Sequence, residues 1–309
     1  MATKAKSASR SRTTKSTRTS AASARTAKKP TVKQTVVKPR TVTVQPVAAV
    51  RPVAAVRRTR VTDDISGPQV LGEMLGTFLL VAAVAASGGN ALIVGFALIV
   101  IVGMFFGISG SHVNPAVTFG FWAMRKITAT KMAFYWLAQF VGALAAILAV
   151  NAFGQTKLNI SFASLMQWDW AVFAAELIGA AIFMFGVAAA VRRNTADVGR
   201  AVGIGLALFV GLLISGSYLQ QAVTAASAKV TDSNKKSPRI AGLNGTTLNP
   251  AVALSLSETD SSSVNQLTGE STPKTTMPSR LTFEVILGTF LGAALGGRLY
   301  LLLNREETL

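Results

Sequence analysis

The tetrapeptide Asn-Pro-Ala-Val occurs twice, at 114–117 and 249–252, and a Gly stands four residues before each Asn, Gly110 and Gly245. Asn is among the strongest helix N-caps, because its side-chain oxygen accepts from the first free backbone N–H groups. Pro suits the first helical position, where its missing N–H had no partner to lose. Asn114-Pro115-Ala116 and Asn249-Pro250-Ala251 therefore each read as a helix start, over 115–124 and 250–257, with the glycines letting the chain bend tightly beforehand. Both helices are too short to cross a hydrocarbon layer of about 30 Å. Each N-terminus carries roughly half an elementary positive charge. Two such ends meeting at the bilayer centre would disfavour cations and protons, while the Asn114 and Asn249 amides offer N–H donors. That chemistry suits a neutral, hydrogen-bonding permeant. One Asn-Pro-Ala is an ordinary helix cap; two copies at equivalent places of a repeat are specific.

The elements that must hold these motifs are apolar. Long hydrophobic runs cover 69–88, 91–108, 132–153, 171–191, 201–219 and 281–303, each near the ~20 residues that span a membrane. The expected fold is an all-α membrane protein with six transmembrane helices and two re-entrant half-helices. An internal repeat organises it. Glu73 and Glu176 each lie early in a span with Gly three residues later, and each is followed by a second span, Asn-Pro-Ala-Val, and a third span. The third spans match as well, with QFVGA at 139–143 against TFLGA at 289–293. Three spans is an odd number, so the copies, about 69–153 and 171–304, enter the membrane from opposite sides. Non-helical backbone is tolerated at that depth only when buried in protein or lining a wet cavity.

The copies are unequal: Asn114 lies 41 residues after Glu73, and Asn249 lies 73 after Glu176. The excess falls in a polar insertion at about 219–243, and a second polar stretch, about 257–280, precedes the last span. Both are expected in outer loops. The 2–3 connection carries Arg125, Lys126 and Lys131, and the 4–5 connection carries Arg192, Arg193 and Arg200. The 1–2 loop has no Lys or Arg, and the 3–4 loop has only Lys157. The positive-inside rule then puts both termini in the cytoplasm, for a multi-pass protein expected in the plasma membrane.

The net charge of +18 over 309 residues is concentrated at one end. Residues 1–60 hold 16 Lys/Arg, no Asp or Glu and no aromatic residue. Residues 1–64 are therefore expected to be a disordered basic cytoplasmic tail, joined to a channel domain over 65–309. Such a tail is simply solvated or lies on anionic lipid; nucleic-acid binding is disfavoured because no aromatic residues interleave the charges. With no Cys and one His, thiolate metal sites are excluded and enzymatic chemistry is not expected.

These features resemble the aquaporin and aquaglyceroporin (major intrinsic protein) family. The likeness is carried by SGSHVNPAVTFG at 109–120, NGTTLNPAVALS at 244–255, the two Glu-bearing spans and the six-span length, and it covers about 65–309. It implies an aquaporin-like channel for water and small uncharged solutes such as glycerol, working without cofactor or metal as a homotetramer in the lipid bilayer. It also implies that Glu73 and Glu176 hydrogen-bond the re-entrant loops and that His112 buttresses the first. Family constriction positions fall on Val94, Leu212, Thr246 and Val252, the last where an Arg usually stands. This ring is expected to be aliphatic, with one hydroxyl and no charge or aromatic. The alternative source of charge is a fold-back of 219–243 bringing Arg239 or Lys236 to the mouth. Two other readings compete: an ion-coupled secondary transporter, also built from inverted repeats and broken helices, and a gated or closed scaffold protein.

Overall fold

The computed structural model describes residues 65–154, 165–193, 196–228, 239–243, 245–256 and 280–304. All belong to one compact unit, Arg57–Leu309. The other unit, Met1–Val56, lies outside the described residues, as do Lys157, Lys236, residues 57–64 and most of the segment 257–280.

Among the described residues there are eight α-helices: α1 (Gly67–Ala86), α2 (Ala91–Ser109), α3 (Pro115–Ala123), α4 (Ala129–Gly154), α5 (Trp170–Arg192), α6 (Asp197–Ala228), α7 (Pro250–Leu256) and α8 (Phe283–Leu303). A single 3-10 turn, Arg239–Gly242, lies between α6 and α7. All but α3 and α7 are long and apolar enough to cross a membrane. Their outer faces expose Phe96, Val100, Leu137 and Leu295, a covering suited to lipid rather than water.

The packing follows the repeat. Helix α1 packs on α2 and α4, and α5 packs on α6 and α8, while α2 against α6 joins the two halves. Each short helix lies on the last span of the other repeat, α3 on α8 and α7 on α4. Small residues make the tightest crossings possible. A Cβ at Gly142 would run into the Met74 carbonyl of α1, and a Cβ at Gly292 into the Leu177 carbonyl of α5. Met74 and Leu177 are the residues after Glu73 and Glu176, so the same contact occurs once in each repeat.

One boundary differs from the sequence expectation. Helix α6 continues to Ala228, well into the stretch read as a polar insertion from 219. The segment LQQAVTAASA holds no Gly or Pro and is rich in helix formers. Leu219 and Val223, one turn apart, bury against Val172 and Leu243, which keeps the helix going.

Candidate functional site

The starts of α3 and α7 meet through their asparagines. Asn114 Oδ1 accepts from Ala116 N at 2.7 Å and Val117 N at 3.4 Å, capping its own helix. Asn249 Oδ1 does the same for Ala251 N at 3.0 Å and Val252 N at 3.5 Å. Each amide then reaches across. Asn114 Nδ2 donates to the Leu248 carbonyl at 2.8 Å, and Asn249 Nδ2 donates to the Val113 carbonyl at 3.1 Å. Of the two N–H groups on each amide, one is committed to this clasp.

The residues before the asparagines hold a costly backbone. Val113 has φ 42° and Leu248 has φ 52°, in the left-handed region that a side chain disfavours. Gly110 and Gly245, at φ 88° and 73°, make the preceding bends without that cost. The strained conformation aims the backbone N–H groups at the buried acids. Val113 N donates to Glu73 Oε2 at 2.7 Å and His112 N to Glu73 Oε1 at 2.9 Å. Leu248 N donates to Glu176 Oε2 at 2.8 Å and Thr247 N to Glu176 Oε1 at 2.8 Å. Gly76 and Gly179, one turn past each Glu, make room: a Cβ on either would lie 2.5 Å from the Val113 or Leu248 side chain.

Around this shared plan the two brackets differ. Glu73 takes two more donors, Ser109 Oγ at 2.7 Å and Gln139 Nε2 at 2.8 Å. Gln139 also donates to Thr118 Oγ1, which faces His112 Nδ1 at 3.2 Å. The His112 ring stacks on Phe121 at 4.5 Å and meets the edge of Tyr135. Glu176 takes the Thr247 hydroxyl at 3.0 Å. Thr289, the counterpart of Gln139, bonds only the Ile286 carbonyl of its own helix in the described hydrogen bonds.

Asn114 and Asn249 line one cavity of about 80 Å³, several times the ~10–15 Å³ of such space that one water needs. Val94, Leu212, Thr246 and Val252 all line it too, so the four residues expected at a constriction share one space. Thr246 Oγ1 is engaged with Ser215 Oγ at 2.6 Å. Beyond these four residues the cavity wall carries an aromatic ring and a charge. Phe183 and Arg280 also line the cavity, and Arg280 is buried. Burial pulls its guanidinium below the ordinary range and nearby Glu176 opposes that pull; a guanidinium is not deprotonated in proteins. Arg239, weighed from sequence as a fold-back charge for the mouth, instead pairs with Glu284 on α8. A carboxyl buried to 0 % exposure takes the cation that an aqueous loop would have solvated.

Sequence reasoning did not single out Gln139, Ser109 or Arg280. Gln139 could have been noticed as a polar residue inside an apolar span and inside the repeated QFVGA segment. Arg280 carries no local signal, since it closes a polar stretch that reads as loop. Among the described residues no group of three or more His, Cys, Asp and Glu could hold a metal ion.

The chain is similar in sequence to known membrane proteins. An aquaporin from Zea mays, NIP2-3, is 29% identical over 182 residues, covering 52% of this chain and 60% of that protein. The glycerol uptake facilitator protein-like 6 of Lactiplantibacillus plantarum is 34% identical over 171 residues, covering 49% of this chain and 79% of the relative. Among solved structures, the aquaglyceroporin of Plasmodium falciparum aligns over 75% of this chain and 94% of its own, with a TM-score of 0.48 and 19% identity. The family profile described as Major intrinsic protein matches residues 67–233, more than half of the chain. This six-span membrane protein belongs to the major intrinsic protein family.

Proposed function

We propose that the chain forms a passive channel for water and small uncharged solutes such as glycerol, with the two Asn-Pro-Ala half-helices as its central filter. The observation that carries this reading is the shared cavity, which both clasped asparagines line together with apolar side chains. Each amide keeps a second N–H beyond the clasp, and each half-helix directs the positive end of its dipole to the junction. A neutral molecule able to accept a hydrogen bond passes such a place more easily than a cation. The family membership and the names of the relatives, an aquaporin and a glycerol uptake facilitator, support the same substrate class. A tetramer in the plasma membrane with both termini cytoplasmic, and a basic tail over 1–64 resting on anionic lipid, complete the reading.

An ion-coupled transporter is less well supported. Such a protein uses intramembrane acids as ion or proton sites, and both oxygens of Glu73 and of Glu176 already accept from the loops. Stopped-flow light scattering on proteoliposomes tests the channel reading. Shrinkage in sucrose well above that of empty liposomes, followed by rapid re-swelling in glycerol, is the expected outcome. Shrinkage at the rate of empty liposomes would sink it.

A further inference from the structure

The site contains one charge that the repeat does not explain. Among the described residues lining the cavity, Arg280 is the only side chain with a permanent charge. It belongs to neither half-helix. It sits just ahead of α8, and by the register that pairs Gln139 with Thr289 its counterpart in the first repeat is the uncharged Thr130. Gly88 and Gly89 of the α1–α2 turn line the same cavity.

The backbone around Arg280 is tied down from several directions. The Arg280 carbonyl accepts from Thr282 N at 3.0 Å, and Phe283 N donates to the Leu165 carbonyl at 2.7 Å. Glu284, one residue further, accepts from Asp169 N at 2.7 Å and pairs with Arg239. These bonds clamp the start of α8 to the segment before α5 and to the 3-10 turn. Arg280 and Glu176 also line one small adjoining cavity, so the acid that holds the second loop stands beside the cation. Only 8 % of Arg280 is exposed. A charge held with so little solvent around it acts on the path far more strongly than a surface charge would.

We propose that Arg280 is the cation-rejecting residue of the pore wall, delivered by the clamped start of α8 to a cavity where α7 contributes only the apolar side chains of Val252 and Leu256. The proposal rests on the channel reading. The half-helix dipoles oppose a cation at the central junction; Arg280 opposes it along the wall, independently of the asparagine clasp. Glu176 then has a second task beside holding the loop, as the positioning counter-charge of the guanidinium.

The test compares proton leak with water flux in proteoliposomes of the full chain. Water is read by scattering in sucrose, and protons by an enclosed pH-sensitive dye with the potential clamped by potassium and valinomycin. In Arg280→Gln the leak per unit of water flux is expected to rise at least about tenfold, the scale set by losing one weakly screened elementary charge. Arg280→Lys, which keeps the charge, should stay near the wild-type ratio. An unchanged ratio in folded Arg280→Gln overturns the proposal, and so does loss of water flux in that variant, which would make the guanidinium a part of the pore's shape. Should Arg280→Gln fail to assemble, Arg280→Met, which keeps the length of the stem without the charge, is read in the same way while Glu176 keeps its three donors from the loop. Collapse of that variant as well would make Arg280 a structural residue and overturn the proposal. Absence of water flux in the wild-type protein would instead overturn the channel reading itself.

Discussion

The two repeats build one junction by the same plan and then surround it differently. Both place a left-handed residue before the Asn, a Glu beneath the loop, a Gly one turn past the Glu, and a Gly on the third span against the first. In the first repeat the surroundings are neutral and local: Ser109, Gln139 and Thr118 complete the bracket around Glu73. In the second, Thr289 replaces Gln139, and charged residues, Arg280 and the Arg239–Glu284 pair, gather near Glu176. The family profile covers the first repeat together with α5 and α6, and stops at 233, before the second half-helix. What is duplicated is what closes the mid-membrane junction, where an unmatched polar group has no water to turn to. What differs is added around that junction, by side chains such as Gln139 and Arg280 that have no like counterpart in the other repeat.

The largest effects should come from the contacts that the repeats share. Gly142→Leu and Gly292→Leu each drive a side chain into a neighbouring helix carbonyl, so neither can be relieved by a rotamer change. Each is expected to cost about 3 kcal/mol or more and to abolish the folded peak in size-exclusion chromatography after detergent extraction. If one variant assembles normally and the other does not, the two α-helix crossings are not equivalent and the symmetric plan is broken.

A second comparison isolates the difference between the brackets. Gln139→Ala removes a donor from buried Glu73 and from Thr118, with an expected loss of about 2–3 kcal/mol. Thr289→Ala removes a bond within one helix and should cost about 1 kcal/mol or less. Equilibrium unfolding in mixed micelles gives both values. Equal losses would mean that the second bracket relies on Thr289 in a way its hydrogen bond does not express.

Much of this was legible in the sequence because it rests on short-range chemistry. Asn-Pro fixes a helix start from two adjacent residues, and six apolar runs of about the right length fix the spans. The repeat then makes Glu73 and Glu176 visible as a pair. The clasp was not legible, because Asn114 and Leu248 lie 134 positions apart and their bond depends on how two loops meet. Arg280 was hidden for a related reason. Its burial comes from the clamp on Phe283 and Glu284 and from Glu176, none of which its neighbours in sequence announce. The extension of α6 was misread because polarity was taken as a loop signal, although LQQAVTAASA buries Leu219 and Val223 on one face.

The smallest expected difference concerns the shared junction itself. Asn114→Ala and Asn249→Ala each remove one helix cap and one bond across the clasp, with similar distances on the two sides. Either alone should cost about 1–2 kcal/mol, since a lost cap and a lost buried donor act together. If the junction is symmetric in energy as well as in form, the two losses should agree within about 0.5 kcal/mol, near the limit to which such differences add. The double variant is the more telling case. Asn249 donates to the residue before Asn114, and Asn114 donates to the residue before Asn249, so losing one bond loosens the backbone that presents the other acceptor. The double variant should therefore lose less than the sum of the singles, by at least about 0.5 kcal/mol. Strict additivity in the unfolding cycle would show two independent caps that happen to touch, and the clasp would then be a consequence of how the half-helices pack rather than a cause of it.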